Sequence, residues 1–136
     1  MIMAMHRPPY VATVSPAFPQ DFKAKVKKAL GIKGYRYIHV LAPCPTGWGY
    51  DPAKTVGLAR DAVRSGLFPL YEVENGKLNL TYDSKERVPI REYTSLQRRF
   101  RHLDDSEIDK LQEQIEERWS NLVSISQAKI YGILPL

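Results

Sequence analysis

The only cysteine of the chain, Cys44, lies between two prolines in the segment Pro43-Cys44-Pro45-Thr46-Gly47-Trp48. Each proline lacks an amide hydrogen and fixes its own φ angle, so we expect a stiff, non-helical backbone on both sides of the cysteine. A thiol on a rigid turn after a strand is well placed to meet a ligand in an α/β protein. Free cysteine is also often a small buried apolar group, and the residue types alone leave that alternative open.

Other chemistry-bearing residues are sparse. His6, His39 and His102 have no metal-ligand spacing, and one cysteine cannot build a zinc site. His39 lies in a predicted strand, and no neighbour of Cys44 offers a base for a nucleophilic Cys–His pair. The Gly47-Trp48-Gly49 sequence is too short for a phosphate-binding loop and does not open a helix in the required way. We therefore assign no catalytic residue to this chain.

Two apolar, β-rich runs position Cys44. Residues 10–14 and 35–42 read as buried strands, and a helix over 20–30 lies between them. The connection is long enough for a crossover, so the strands should be parallel and the crossover right-handed. Thr13 and Cys44 then lie at the same carboxyl edge of the sheet, where we expect any site.

The helix over 20–30 and the following helix are both amphipathic in the sequence. The first should bury a stripe of apolar residues and leave its lysines mostly outside: Phe22, Val26, Ala29 and Leu30 inside, Lys23, Lys25, Lys27 and Lys28 outside. The second should run over 52–65, with Asp51 as N-cap, Pro52 in the first turn and Gly66 after its end. Its inward residues should be Val56, Ala59, Ala62 and Val63.

A β-hairpin is the clearest local signal. Asn75-Gly76 suits a two-residue type I′ turn between two alternating runs. This register pairs Val73 with Leu78 and Tyr71 with Leu80 on one apolar face. We expect that face to pack against another surface.

The last third of the chain is predicted to be a basic, irregular stretch over 83–103 and then a helix over 105–124. Asp104 and Glu107 have the spacing of a capping box. An apolar stripe follows along the helix and should be a docking face: Ile108, Leu111, Ile115, Trp119 and Leu122. The tail over 127–136 has enough apolar residues to pack.

Charge is unevenly distributed along a chain of 136 residues with a net charge of +5. Residues 1–103 hold 17 basic against 8 acidic side chains, whereas 104–118 hold seven acids against Lys110 and Arg118. The basic first part of the chain could bind nucleic acid or dock an acidic protein. Its aromatic and basic residues are not interleaved, however, as they would be in a surface on which nucleic-acid bases stack.

No apolar run approaches the ~20 residues of a membrane span, and the first residues lack a signal-peptide pattern. One cysteine excludes an intrachain disulfide and suits a reducing, cytoplasmic setting.

Several segments together resemble one family. They are Pro43-Cys44-Pro45-Thr46-Gly47-Trp48, the helix over 55–66 and the run 67–76. The similarity continues over 9–15 upstream, and over 89–93, Gln97 and 99–103 downstream. The resemblance is to the β subunit of the 2-oxoacid:ferredoxin oxidoreductases, above all pyruvate synthase, and it fades after about Trp119.

The resemblance implies a fold and a division of the chain. Residues 1–66 would be the C-terminal portion of an α/β, parallel-sheet domain that binds thiamine diphosphate. Residues 67–136 would be a C-terminal extension of hairpin, basic loop and helix. The chain would then be a natural split product or a truncation, and its missing N-terminal half would be a partner.

The resemblance also implies cofactors and a reaction. Family members bind thiamine diphosphate with magnesium through a Gly-Asp-Gly sequence, which this chain lacks. They hold a 4Fe–4S cluster through four cysteines, three from the N-terminal part and a fourth that matches Cys44. The implied reaction is coenzyme A-dependent oxidative decarboxylation of a 2-oxoacid, with electrons passing singly through clusters to ferredoxin. The implied partners are the other oxidoreductase subunits and ferredoxin.

We expect the isolated chain to be inactive and to self-associate. The sheet edge with Thr13 and Cys44, the apolar hairpin face and the stripe of the last helix should not all be covered by one small core. A non-catalytic structural or interaction subunit remains the alternative function.

Overall fold

A computed structural model describes residues 2–83 and 87–128. The helices are α1 (Ile2–Met5), α2 (Pro19–Gly31), α3 (Pro45–Trp48), α4 (Thr55–Arg64), α5 (Ile90–Ser95) and α6 (Asp105–Gln127). The strands are β1 (Tyr10–Val14), β2 (Arg36–Val40), β3 (Tyr71–Glu74) and β4 (Lys77–Leu80). Single 3₁₀ turns cover Pro52–Lys54 and Arg98–Phe100. Most of the predicted packing tail lies outside the described residues, and within them no helix is both long and apolar enough to cross a bilayer.

The four strands form one mixed sheet in the order β2-β1-β3-β4. β1 and β2 are parallel, with Tyr10 opposite Arg36, as predicted. The hairpin has the predicted register, with Val73 opposite Leu78. Its turn has φ angles of 49° at Asn75 and 80° at Gly76, the left-handed pair that a type I′ turn requires. The α/β class and the parallel pair are therefore confirmed.

The expectation that β2 is a buried strand is wrong. Every residue of β1 is buried, whereas β2 is half-buried or exposed along its length. Exposed fractions reach 57 % at Tyr35, just before the strand, and 40 % at Val40. β2 is an edge strand, with β1 on one side and no described strand on the other. Tyr37 and Ile38 are half-buried and pack against buried clusters of the sheet, whereas Val40 is exposed.

The lysine pattern predicted for α2 is wrong at Lys25. This side chain is only 2 % exposed, whereas Leu30, placed in the apolar stripe, is 76 % exposed. The Lys25 ammonium donates to the Asp21 carboxylate at 2.8 Å, the Thr13 carbonyl at 2.9 Å and the Thr81 hydroxyl at 2.6 Å. Three acceptors around one buried cation make the burial tolerable, although desolvation still lowers the pKa of Lys25.

Two further predictions about the middle of the chain need correction. Residues 52–65 are a 3₁₀ turn followed by α4, and Val56 points outward (54 % exposed) while Leu58 is fully buried. The buried face of α4 is Leu58, Ala59, Ala62 and Val63, so three of the four predicted inward residues are confirmed and Leu58 takes the place of Val56. The stretch over 83–103 is not wholly irregular, since α5 lies within it and buries Ile90 and Tyr93.

α6 begins with the predicted capping box. The Asp104 carboxylate accepts from the Glu107 amide at 2.9 Å, and the Glu107 carboxylate accepts from the Asp104 amide at 2.9 Å. The predicted stripe packs inward at four of its five positions, with Leu111 half-buried. A docking face is thus present, and its partner is the chain's own fold.

The chain's own fold covers the hairpin face and most of the α6 stripe, so the expectation that one small core leaves part of these surfaces open holds only at the sheet edge, where Cys44 is exposed. Ile108 and Ile115 of the stripe pack with Leu58 of α4 and Ile90 of α5. Tyr71, Val73 and Leu78 form one buried cluster with Leu122 of α6 and with Val11 of β1. The opposite face of the sheet, with Tyr10 and Ala12, packs on Ala29 of α2. Self-association of the chain loses most of this structural basis and stays an untested prediction.

The buried Glu72 carboxylate should make the stability of the fold depend on pH. It accepts from the Tyr10 hydroxyl at 2.7 Å and from the Lys28 ammonium at 2.7 Å. Burial raises the pKa of Glu72, but these hydrogen bonds outweigh burial and hold it below its ordinary value. Because the folded-state pKa is the lower one, this stabilisation is present above the unfolded pKa and is lost as pH falls through the folded one.

Glu72→Gln should therefore lower the free energy of unfolding at neutral pH by about 1.5 kcal/mol and flatten its decline in acid. Urea unfolding between pH 7 and 3 measures both effects. Glu74→Gln is the matched control, because the Glu74 side chain is 45 % exposed, against 11 % for Glu72, and lies 3.4 Å from the same ammonium. Parallel pH curves for Glu72→Gln and the unchanged chain would contradict this assignment.

Candidate functional site

Cys44 follows β2 at the carboxyl edge of the sheet. The Leu41 amide donates to the Val14 carbonyl at 2.9 Å, which extends the parallel ladder past the end of both strands. Cys44 is an exposed free thiol, so the alternative of a small buried apolar group is wrong. Thr13 lies at the same edge but is buried, and its hydroxyl donates to the Pro69 carbonyl at 2.7 Å. Thr13 therefore ties β1 to the chain entering β3, and only Cys44 is presented outward.

The backbone after Cys44 is helical, contrary to the expectation that prolines exclude helix on both sides. Cys44 is the N-cap of α3, and Pro45 is its first residue. The first helical position needs no amide hydrogen, and the fixed φ of proline suits it. The backbone stays non-helical up to Cys44, which is extended with φ −110° and ψ 104°.

The thiol sulfur of Cys44 has a backbone donor. The Gly47 amide donates to Sγ at 3.4 Å, and the Trp48 amide donates to the Cys44 carbonyl at 2.9 Å. Hydrogen bonds from amides to cysteine sulfur tune the potential of iron–sulfur clusters. The site is thus suited to presenting one sulfur ligand.

The Arg98–Phe100 segment packs against the turn that follows Cys44, at Trp48 and Gly49. The Arg98 amide donates to the Gly49 carbonyl at 3.1 Å. The guanidinium carbon of Arg99 lies 3.8 Å from the centroid of the Trp48 ring. Sequence analysis grouped these arginines with a basic, irregular stretch and missed the contact. The only sequence signal was the unusual Gly-Trp-Gly sequence, whose partner is distant in the chain.

The remaining candidate ligands do not gather around Cys44. His39 lies on β2 with its ring in edge contact with Phe68, at 5.2 Å between centroids. Among residues 2–83 and 87–128, no three His, Cys, Asp or Glu side chains form a metal-binding group. A 4Fe–4S cluster takes four thiolates. The exposed Cys44 thiol could therefore serve as one ligand of such a cluster.

Comparison with known proteins supports a specific relationship. Pyruvate synthase subunit PorB of Methanocaldococcus jannaschii is 53 % identical over 118 residues, which is 87 % of this chain. Ketoisovalerate oxidoreductase subunit VorB of Pyrococcus furiosus is 43 % identical over 96 % of the chain. PorB of Thermotoga maritima is 39 % identical over 93 % of it. The chain is homologous to these oxidoreductase subunits. The resemblance to pyruvate synthase drawn from the Cys44 segment is confirmed.

The homology has a defined extent. The chain spans 40 % of the length of the M. jannaschii subunit and 42 % of that of the P. furiosus subunit. No family model matches the sequence. The relationship is therefore to a part of each relative, although it includes nearly all of this chain.

Gly49 is expected to be intolerant of a side chain. Its φ is 69°, and a Cβ on Gly49 would lie 2.7 Å from the Arg98 Cβ. Gly49→Ala should lower the free energy of unfolding by about 2 kcal/mol, since it combines a left-handed alanine with a close contact. Thermal unfolding monitored by circular dichroism measures the loss.

Gly57→Ala is the matched control, because Gly57 lies in α4 and no atom lies within 4 Å of a Cβ placed there. Alanine at this helical position should raise stability by about 0.5–1 kcal/mol. Equal effects of the two substitutions would show that the Arg98 contact does not constrain the turn.

Proposed function

We propose that this chain is part of the β subunit of a 2-oxoacid:ferredoxin oxidoreductase whose substrate is pyruvate. The observation that carries the proposal is 53 % identity to a pyruvate synthase subunit over 87 % of the chain. Relatives named for ketoisovalerate are also similar, at 42–44 % identity, so a branched 2-oxoacid is the competing substrate. Four pyruvate synthase subunits, at 49–53 % identity, are more similar than these relatives and favour pyruvate, although PorB of Thermotoga maritima is less similar at 39 %.

Cys44 is the residue proposed to meet a cofactor, as one of four ligands of a 4Fe–4S cluster. Its support is geometric: an exposed thiol on a short helix, with the Gly47 amide 3.4 Å from the sulfur. When bound, the cluster would supply one-electron transfer to ferredoxin. The contribution of this chain is to hold one sulfur at the edge of the sheet. Thiamine diphosphate and magnesium would be held by residues outside this sequence, since no Gly-Asp-Gly occurs in it.

The remaining surface suits a subunit that is covered by others. The open edge of β2 carries exposed Val40 and follows exposed Tyr35, and α2 exposes Leu30. Unpaired strand edges with apolar side chains are normally covered by another part of an assembly. We propose that residues 1–66 complete a thiamine-binding α/β domain, that 67–136 form its extension, and that the assembly is cytoplasmic.

Purification of the assembled protein tests this function. The chain is tagged in the organism that encodes it, and the copurified subunits are identified by mass spectrometry. The proposal expects oxidoreductase subunits and pyruvate- and coenzyme A-dependent reduction of ferredoxin. The 136-residue chain alone should show no such reduction. Ketoisovalerate turnover in place of pyruvate would reassign the substrate. An assembly that lacks all 2-oxoacid oxidation would favour the structural-subunit alternative.

A further inference from the structure

Arg99 is held in place by buried partners. Its Nε donates to the Gln97 side-chain oxygen at 2.9 Å, and its Nη2 donates to the Tyr93 hydroxyl at 2.9 Å. Both partners are only 2 % exposed, and the Gln97 amide nitrogen donates in turn to the Tyr93 carbonyl at 2.7 Å. A planar guanidinium with two such hydrogen bonds has a fixed orientation.

That orientation places the flat guanidinium over Trp48. The separation from the Trp48 ring centroid is 3.8 Å, compared with 4.6 Å from the Phe100 ring. The neighbouring Arg98 amide holds the Gly49 carbonyl at 3.1 Å. The C-terminal end of α3 is thus fixed at two consecutive residues, one by stacking and one by a backbone hydrogen bond.

α3 needs these contacts because it has only four residues. A single helical turn does not form stably by itself, since nucleation fixes several residues for one hydrogen bond. Its N-cap is Cys44, whose carbonyl accepts from Trp48 and whose sulfur accepts from Gly47. Movement of Trp48 is therefore transmitted to the sulfur through one turn of backbone.

We propose that Arg99 is a positioning residue for Cys44, acting through its stack on Trp48. This inference rests on the proposed function for its consequence, which is that the fixed sulfur is a cluster ligand. Lysine cannot replace arginine in this role, because an ammonium offers no planar face and no fork for the Gln97 and Tyr93 oxygens.

The test is amide hydrogen exchange, followed by NMR, on the cluster-free 136-residue chain carrying Arg99→Leu. Exchange of the Trp48 and Gly49 amides should accelerate about ten-fold, while α6 amides keep their rates. The Trp48 indole resonance should shift and that of Trp119 should not. Arg99→Lys should restore little of the protection. Unchanged rates at Trp48 and Gly49, or full rescue by lysine, would overturn the proposal.

Arg87→Leu is the matched control, because the Arg87 guanidinium lies 5.5 Å from the ring of the other tryptophan, Trp119. It should shift the Trp119 indole and leave Trp48 and Gly49 unchanged. Should Arg99→Leu weaken protection throughout the sheet, Trp48→Leu replaces it. That variant should accelerate Gly49 exchange while the α6 amides keep their rates. Unchanged Gly49 exchange in Trp48→Leu would count against the proposal.

A second measurement separates this inference from the proposed function. In the complete subunit, Arg99→Leu should reduce cluster content or alter the electron paramagnetic resonance signal of the reduced cluster. An unaltered cluster that depends on Cys44 would overturn the positioning role. A cluster that survives Cys44→Ser would overturn the proposed function and leave the exchange result standing.

Discussion

Cys44→Ser in the complete β subunit is expected to abolish one 4Fe–4S cluster while thiamine diphosphate binding persists. A hydroxyl is a poor substitute for thiolate, and the cluster would be left with three cysteine ligands. Iron and sulfide analysis, electron paramagnetic resonance of the reduced protein and thiamine titration measure the two cofactors separately. Ferredoxin reduction should fall in proportion to the cluster lost.

Thr46→Ser is the control on the same turn, since it also shortens an exposed side chain of α3 and leaves the sulfur in place. Its cluster content should match that of the unchanged subunit. Cys44 is exposed, so serine should not affect folding, and circular dichroism checks this. The isolated chain should assemble no stable cluster with iron and sulfide. Four iron atoms per isolated chain, with a cluster spectrum, would refute the division of ligands proposed above.

Asp21→Ala is expected to destabilise the chain by about 3 kcal/mol. Among the described residues, Asp21 supplies the only carboxylate in contact with the Lys25 ammonium, at 2.8 Å, and Lys25 is 2 % exposed. The cation would keep its hydrogen bonds to Thr13 and Thr81 but lose its counter-charge in a site that water barely reaches. For a domain of this size the melting temperature should fall by roughly 10 °C. Calorimetry or urea unfolding measures the loss.

The double variant Asp21→Ala/Lys25→Met distinguishes a buried charge from a simple loss of packing. Removing the cation as well should recover part of the stability, because methionine has similar length and no charge to desolvate. Lys27→Ala is the surface control and should change stability by less than about 0.5 kcal/mol, since Lys27 is exposed. An Asp21→Ala effect as small as this control would show that Lys25 is effectively solvated.

Features decided by neighbours in sequence were predictable from sequence. The hairpin register follows from Asn75-Gly76, because only such residues adopt two successive positive φ angles readily. The capping box of α6 needs only Asp104 and Glu107, three residues apart. The parallel pairing of β1 and β2 follows from the length of the connection between them. The resemblance carried by the Cys44 segment was likewise local, and homology to pyruvate synthase subunits confirmed it.

Tertiary structure alone decided which side chains are buried and which contacts hold the Cys44 turn. The sequence around a lysine does not show whether its side chain is buried or exposed. Lys25 is buried because Thr13 and Thr81 supply hydrogen-bond acceptors from other elements. β2 is exposed because no described strand flanks its outer side. The stack of Arg99 on Trp48 joins residues distant in the chain. Burial, charge satisfaction and stacking all depend on which elements meet, and a local pattern does not encode that.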